Sequence, residues 1–165
     1  MDQNRAAGIR LFGLESLMGA TAGSIGTVPM TLFMLGAHRL LPGWQKYALP
    51  PEKITQEAAE RADIELDKPQ LLGASLVAHL GYGASMGSLY NTFARKVEVS
   101  AVVKGAVFGI VVWGASYLGW LPAASFSEAA SEEPMKRNLL MIGAHIIWGM
   151  TTAVVVDQVE RRLSL

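Results

Sequence analysis

Cysteine is missing from the sequence, which excludes disulfides, thiolate metal sites and cysteine nucleophiles. Charged residues are scarce, at 17% of the chain, and acids and bases balance at 14 each, so nothing marks nucleic acid as a partner. The recurrent catalytic patterns are missing too. There is no G-x-S-x-G, no H-E-x-x-H, no phosphate-cradling loop and no pair of carboxylates deep within an apolar run. No enzyme is expected.

The charge that is present gathers at the ends of four apolar runs. No Asp, Glu, Lys or Arg occurs between Glu15 and Arg39, Lys68 and Arg95, Lys104 and Glu128, or Arg137 and Asp157. A helix crosses the hydrocarbon core in about 20 residues. A soluble helix of that length needs a charged face, and none of these runs has one. The chain is read as all-α, a polytopic integral membrane protein with four transmembrane helices in two hairpins and a short amphipathic surface helix. One membrane domain fills residues 1–165, with spans at about 11–41, 70–94, 101–121 and 138–158. The lipid bilayer is its first partner.

Arg5, Arg10 and Ala20-Thr21-Ala22 give the first span a passing likeness to a secretion signal. Glu15 interrupts its apolar core, however, and hydrophobicity continues to Leu41, so cleavage is not expected. Pro29 lies inside the same span and predicts a kink or break near Gly26–Pro29. Pro50-Pro51-Glu52 predicts the start of a loop helix over about 51–66, with Ile54, Ala58, Ala62 and Leu66 on one side. Four spans put both termini on the side of residues 95–104. Arg95, Lys96 and Lys104 make that short loop basic, which places the termini in the cytoplasm.

Glycine is what the chain has in abundance. Fifteen of its 17 glycines fall inside the four spans, and Gly19–Gly23, Gly83–Gly87 and Gly105–Gly109 are G-x-x-x-G pairs. Helices in lipid associate by close backbone packing, which small residues permit. This predicts a compact bundle, a homo-oligomer interface or a contact within a larger membrane complex. Ala78-His79-Leu80-Gly81-Tyr82-Gly83 also resembles Ala144-His145-Ile146-Ile147-Trp148-Gly149, so the chain reads as two tandem hairpins. His79 and His145 then lie at similar depth and suit two roles. They are hydrogen-bonded bundle residues, or they are the two axial ligands of a b-type haem. Glu15, Lys104 and Asp157 sit at one end of the spans, as a structural charge pair or as part of an ion pathway.

The run Gly81-Tyr82-Gly83-Ala84-Ser85-Met86-Gly87-Ser88-Leu89-Tyr90, with Trp113, Gly119-Trp120-Leu121-Pro122 and Asn138…His145…Trp148-Gly149, resembles the YagU-like four-helix inner-membrane proteins, a family of unknown function. Pro50-Pro51-Glu52-Lys53-Ile54-Thr55 is similar to that family as well. The resemblance implies a bacterial plasma membrane and a loose link to acid or other stress. It supplies no catalytic or ligand residues. Function is read as a non-catalytic scaffold or accessory subunit without a cofactor. A small transporter or proton-linked channel, and a haem b electron carrier, stand as the alternatives.

Overall fold

Two long helices packed on one another, each flanked by one further helix, set the architecture. The computed structural model describes residues 3–94 and 98–163, with side chains from Leu11 onward. Arg95 and Lys96, on which the expected orientation partly rests, lie outside the described residues, as do the side chains of Arg5 and Arg10. The order is α1 (Gln3–His38), α2 (Pro50–Arg61), α3 (Lys68–Ser88), α4 (Tyr90–Ala94), α5 (Ala101–Gly114), a π-helical turn (Ala115–Trp120), α6 (Leu121–Ala123) and α7 (Met135–Leu163). No strand occurs among the described residues.

Three stretches are long and apolar enough to cross a membrane: Leu11–His38, Ala101–Ala123 and Met135–Leu163. Four were expected, and α3 falls outside the set. Its 21 residues give it the length, but Gly73, Ser75, His79, Gly81, Gly83 and Ser85 dilute its apolar content. The second span also ends early. The helix stops at Ser88, and Tyr90–Ala94 forms a separate turn where 70–94 was expected to continue. At its other end, Asp67 and Gln70 make a reciprocal capping box, each side chain bonding the other's backbone N–H at 2.9 Å.

Two further expectations are narrowed. Of the kink or break expected near Gly26–Pro29, the break is absent, since the first helix runs on through Pro29. Its position between α3 and α7 supplies the packing that lets a proline stay within a long helix. The loop helix ends at Arg61 rather than 66, with Asp63 in the left-handed region at φ 58°. It rests on α3, but of its expected apolar side only Ile54 and Leu66 are half-buried, while Ala58 and Ala62 are exposed.

The helices pack as a chain of neighbours: α3 on α1, α1 on α7, and α7 on α5. Glycine sets the first and last of these crossings. A Cβ at Gly87 would lie 2.8 Å from Gly23 Cα, and one at Gly23 would lie 2.9 Å from Gly87 Cα. A Cβ at Gly105 would lie 2.7 Å from Ala153 Cβ, and one at Gly149 would lie 2.9 Å from Gly109 N. Gly19 faces the Gly87 carbonyl and Gly83 faces Thr27. Only a residue without a side chain permits backbones this close. Between the hairpins, Trp148 donates from Nε1 to the Gly23 carbonyl at 2.9 Å and stacks on Phe108.

These crossings are equivalent under the internal repeat. Gly83 and Gly87 in the first hairpin correspond to Gly149 and Ala153 in the second, and each pair receives a glycine of the preceding helix, Gly23 or Gly105. The same repeat would make a contact between α5 and α3 the counterpart of that between α7 and α1. The α1–α7 contact is extensive, whereas α3 and α5 are parted.

Candidate functional site

The parting of α3 from α5 leaves a cavity of about 220 Å³. His79 and Tyr82 of α3 line one side of it, Ser116, Tyr117 and Trp120 of the π-helical turn line the other, and His145 closes it from α7. Pro51, Ile54 and Thr55 of α2 cover one end. A π-helical turn inserts an extra residue into the helical repeat and re-aims the side chains it carries, which is why such turns gather at functional sites. Gly119 absorbs the distortion, at φ −117° and ψ −105°.

Both histidine tautomers follow from their partners. His145 Nδ1 lies 2.8 Å from the Met141 carbonyl, which can only accept, so the proton is on Nδ1. His79 Nδ1 lies 3.3 Å from Thr31 Oγ1, and the Thr31 hydroxyl already donates to the Thr27 carbonyl at 2.8 Å. The threonine oxygen is therefore the acceptor, and His79 also carries its proton on Nδ1. This leaves Nε2 of each ring as an acceptor without a partner among the described residues. The neighbouring Ser116 and Tyr82 hydroxyls are committed, whereas that of Tyr117 is not. Ser116 donates to the Val112 carbonyl at 2.7 Å and pairs with the Tyr82 hydroxyl at 2.7 Å. Tyr117 meets His145 edge-on, with ring centroids 5.7 Å apart.

Haem does not fit here. The two histidines do share a cavity, but sites for drug-sized molecules span about 300–1,000 Å³, and a porphyrin is larger than most such molecules. At about 220 Å³ this cavity has no room for the macrocycle.

The charged candidates lie elsewhere. Lys104 and Asp157 line a separate surface pocket with Arg161, Asn91 and Glu160. Asp157 is paired with Arg161 at 2.9 Å, and the Glu15 backbone carbonyl accepts from Asn91 at 3.3 Å. Among the described residues, no Asp, Glu, Lys or Arg lines the histidine cavity.

The groups that fix the lid of the cavity are ones sequence reasoning passed over. Arg137 is buried, with 6% exposure. It donates to the carbonyls of Gln45 at 2.9 Å, Tyr47 at 3.3 Å and Ala48 at 3.2 Å, and it stacks 3.6 Å from the Tyr47 ring centroid. It also pairs with Glu133 at 3.4 Å. Arg61, at the end of α2, donates to the carbonyls of Ala124 at 2.8 Å and Ser125 at 2.7 Å and lies over the Phe126 ring. Two arginines thus tie the first loop to the third. The signal in the sequence was Glu133 four residues before Arg137 at a helix start, together with the guanidinium's fit to several carbonyls.

Tyr47 makes this cap sensitive to high pH. Burial, and next its hydrogen bond to Glu133, push its hydroxyl from 10.0 to about 12. A folded value above the ordinary one means that the contribution is intact below pH 10 and is lost as pH rises through 12. The first loop should become more susceptible to protease across that window in wild type. Tyr47→Phe should show no such step, and an identical step in that variant would place the titration elsewhere.

No curated protein and no solved structure matches the chain. One protein family does, over residues 32–154, a stretch that takes in both histidines, the π-helical turn and Arg137. On that match the chain belongs to the DUF1440 family, described as a protein of unknown function.

Proposed function

We propose that this is a non-catalytic multi-pass protein of the bacterial plasma membrane, a scaffold or accessory subunit in which α3 crosses as a fourth span. The observation that carries the reading is the seating of α3 on α1. Gly19, Gly23, Gly83 and Gly87 bring the two backbones into van der Waals contact over about one helical turn. A helix held that closely and antiparallel to a spanning partner has to share its depth. The low hydropathy of α3 is then met by protein and by internal hydrogen bonds, as with Ser75 donating to the Leu71 carbonyl at 2.7 Å. Its paired backbones support a packing role for the glycines, in this chain or against a second copy. The absence of charged residues from the lining of the histidine cavity, among the described residues, supports a non-catalytic protein. The YagU-like resemblance supports the bacterial plasma membrane, and a basic loop after α4 supports cytoplasmic termini.

Topology is the test. The chain has no native cysteine, so single cysteines placed at the exposed Lys46, Ser100 and Ser131 can be labelled from outside intact cells without background. Label should reach positions 46 and 131 but not 100. Labelling of 46 and 131 on opposite sides would remove α3 as a span.

A further inference from the structure

We infer that the cavity between α3 and α5 binds the ring of a hydroquinone, a single-ring aromatic diol that donates hydrogen bonds to Nε2 of His79 and His145.

The hydrogen-bond inventory leads to a donor ligand. Thr27 donates to the Gly23 carbonyl at 2.9 Å, Trp148 to the same carbonyl, and Ser116 to that of Val112. Tyr82 donates its proton to Ser116, whose own proton is spent, and Trp120 donates to Tyr82 at 3.4 Å. Two imidazole nitrogens on different helices are left as unpartnered acceptors, and of the other polar groups lining the cavity the Tyr117 hydroxyl has no partner; the unpartnered Trp113 Nε1 lies behind Tyr117, outside the lining. Neither nitrogen is among the fully enclosed unpartnered atoms, so each is open to the cavity, and a ligand with two hydroxyls satisfies both.

Charge and size narrow the class further. No carboxylate lines the cavity, so an ammonium or a bare divalent ion would be desolvated without a counter-charge. A neutral donor avoids that cost. A cavity of about 150 Å³ accepts benzene, and 220 Å³ suits one substituted ring. The walls suit a ring as well. Met30, Met86 and Met141 present thioethers, which contact aromatic edges favourably, and Trp148 and Tyr117 present ring surfaces.

The fold also gives a way in. The repeat predicts that α3 and α5 should pack as α1 and α7 do, and they do not. Ala78 is exposed and His79 half-buried at that gap, so a lipid-soluble diol can enter sideways between the helices. Only this route of entry rests on α3 crossing the bilayer. The binding itself does not, and it is measured in detergent, apart from topology.

The test is calorimetry on the purified full chain, kept under reductant, with methylhydroquinone, its dimethyl ether and methylbenzoquinone. Saturable binding of one hydroquinone per chain is expected, with the ether and the quinone weaker by about tenfold or more, since each lacks the donors. His79→Leu should weaken hydroquinone binding by a similar factor, and Ala78→Trp should block it by filling the gap. Both positions lie on the accessible side of the cavity, so an unchanged helical melt is the control for folding. Should either variant melt early, the three-ligand series on wild type decides alone. Equal affinity for the ether, or no hydroquinone binding, overturns the proposal. Tight Cu(I) binding without hydroquinone binding would also overturn it and assign the imidazoles and thioethers to a metal.

Discussion

Gly109→Leu should separate α5 from α7 and lower the melting temperature in detergent by roughly 10 °C or more. A Cβ at position 109 would lie 2.8 Å from the His145 carbonyl carbon and 3.3 Å from Ile146 N, both of them backbone atoms. No rotamer change relieves such a clash, so the helices have to move apart. Overpacking costs about 1–3 kcal/mol and more where backbone must shift, and 3 kcal/mol is about 10 °C in a chain of this size. The displaced carbonyl is that of His145, so the cavity should open with the crossing. The contrast lies on α3. Nothing stands within 4 Å of a Cβ built at Gly73, and Gly73→Ala should be neutral or stabilising by about 0.5–1 kcal/mol, the usual gain in a helix interior. If Gly109→Leu and Gly73→Ala melt together, glycine contact does not hold this bundle.

That contrast shows which parts of the fold were legible in the chain and which were not. The G-x-x-x-G spacing at Gly19–Gly23 and Gly105–Gly109 pointed to close crossings, because lipid leaves small residues as the means of approach. Spacing did not tell Gly23 from Gly73, since both lie in apolar helices and only the partner's position differs. The charge-free runs gave the α1, α5 and α7 stretches as spans. The run in α3 was read the same way, although its glycines, serines and histidine leave it less apolar than its length suggests. Pro29 predicts a kink or a break because the rule concerns an isolated helix, and no break occurs where α1 is flanked by partners.

The cavity was legible only in fragments. The repeated Ala-His pairs marked His79 and His145, and the repeat placed them at one depth. What brings them to a common space is the unequal packing of α3 and α5, together with a π-helical turn at Ala115–Trp120. No local pattern encodes that turn, because a single-residue insertion in a helix leaves composition and periodicity nearly unchanged. Ser116 and Tyr117 were therefore overlooked.

Arg137→Met should be the most damaging single change at the extramembrane end, destabilising the protein by about 3–5 kcal/mol. The guanidinium is what holds the carbonyls of Gln45, Tyr47 and Ala48 at the start of α7, and it neutralises Glu133. Methionine matches its stem in volume but leaves the Gln45 and Ala48 carbonyls without a donor, the Tyr47 carbonyl with His38 alone, and the Glu133 carboxylate with the Tyr47 hydroxyl but no counter-charge. The loss should be local before it is global. The first loop should become sensitive to protease at temperatures where α1, α5 and α7 remain helical, because the glycine crossings lie at other depths. Arg137→Lys keeps the charge but not the planar fork, so it should recover only part of the stability. A double-mutant cycle separates the two duties. With Glu133→Gln already in place, Arg137→Met no longer strands a buried carboxylate, and its cost should fall measurably below the cost in wild type. An equal cost in both backgrounds would mean that the carbonyl contacts alone carry the effect. A cost under about 1 kcal/mol in wild type, the range of an exposed pair, would show that Arg137 does not hold the lid at all.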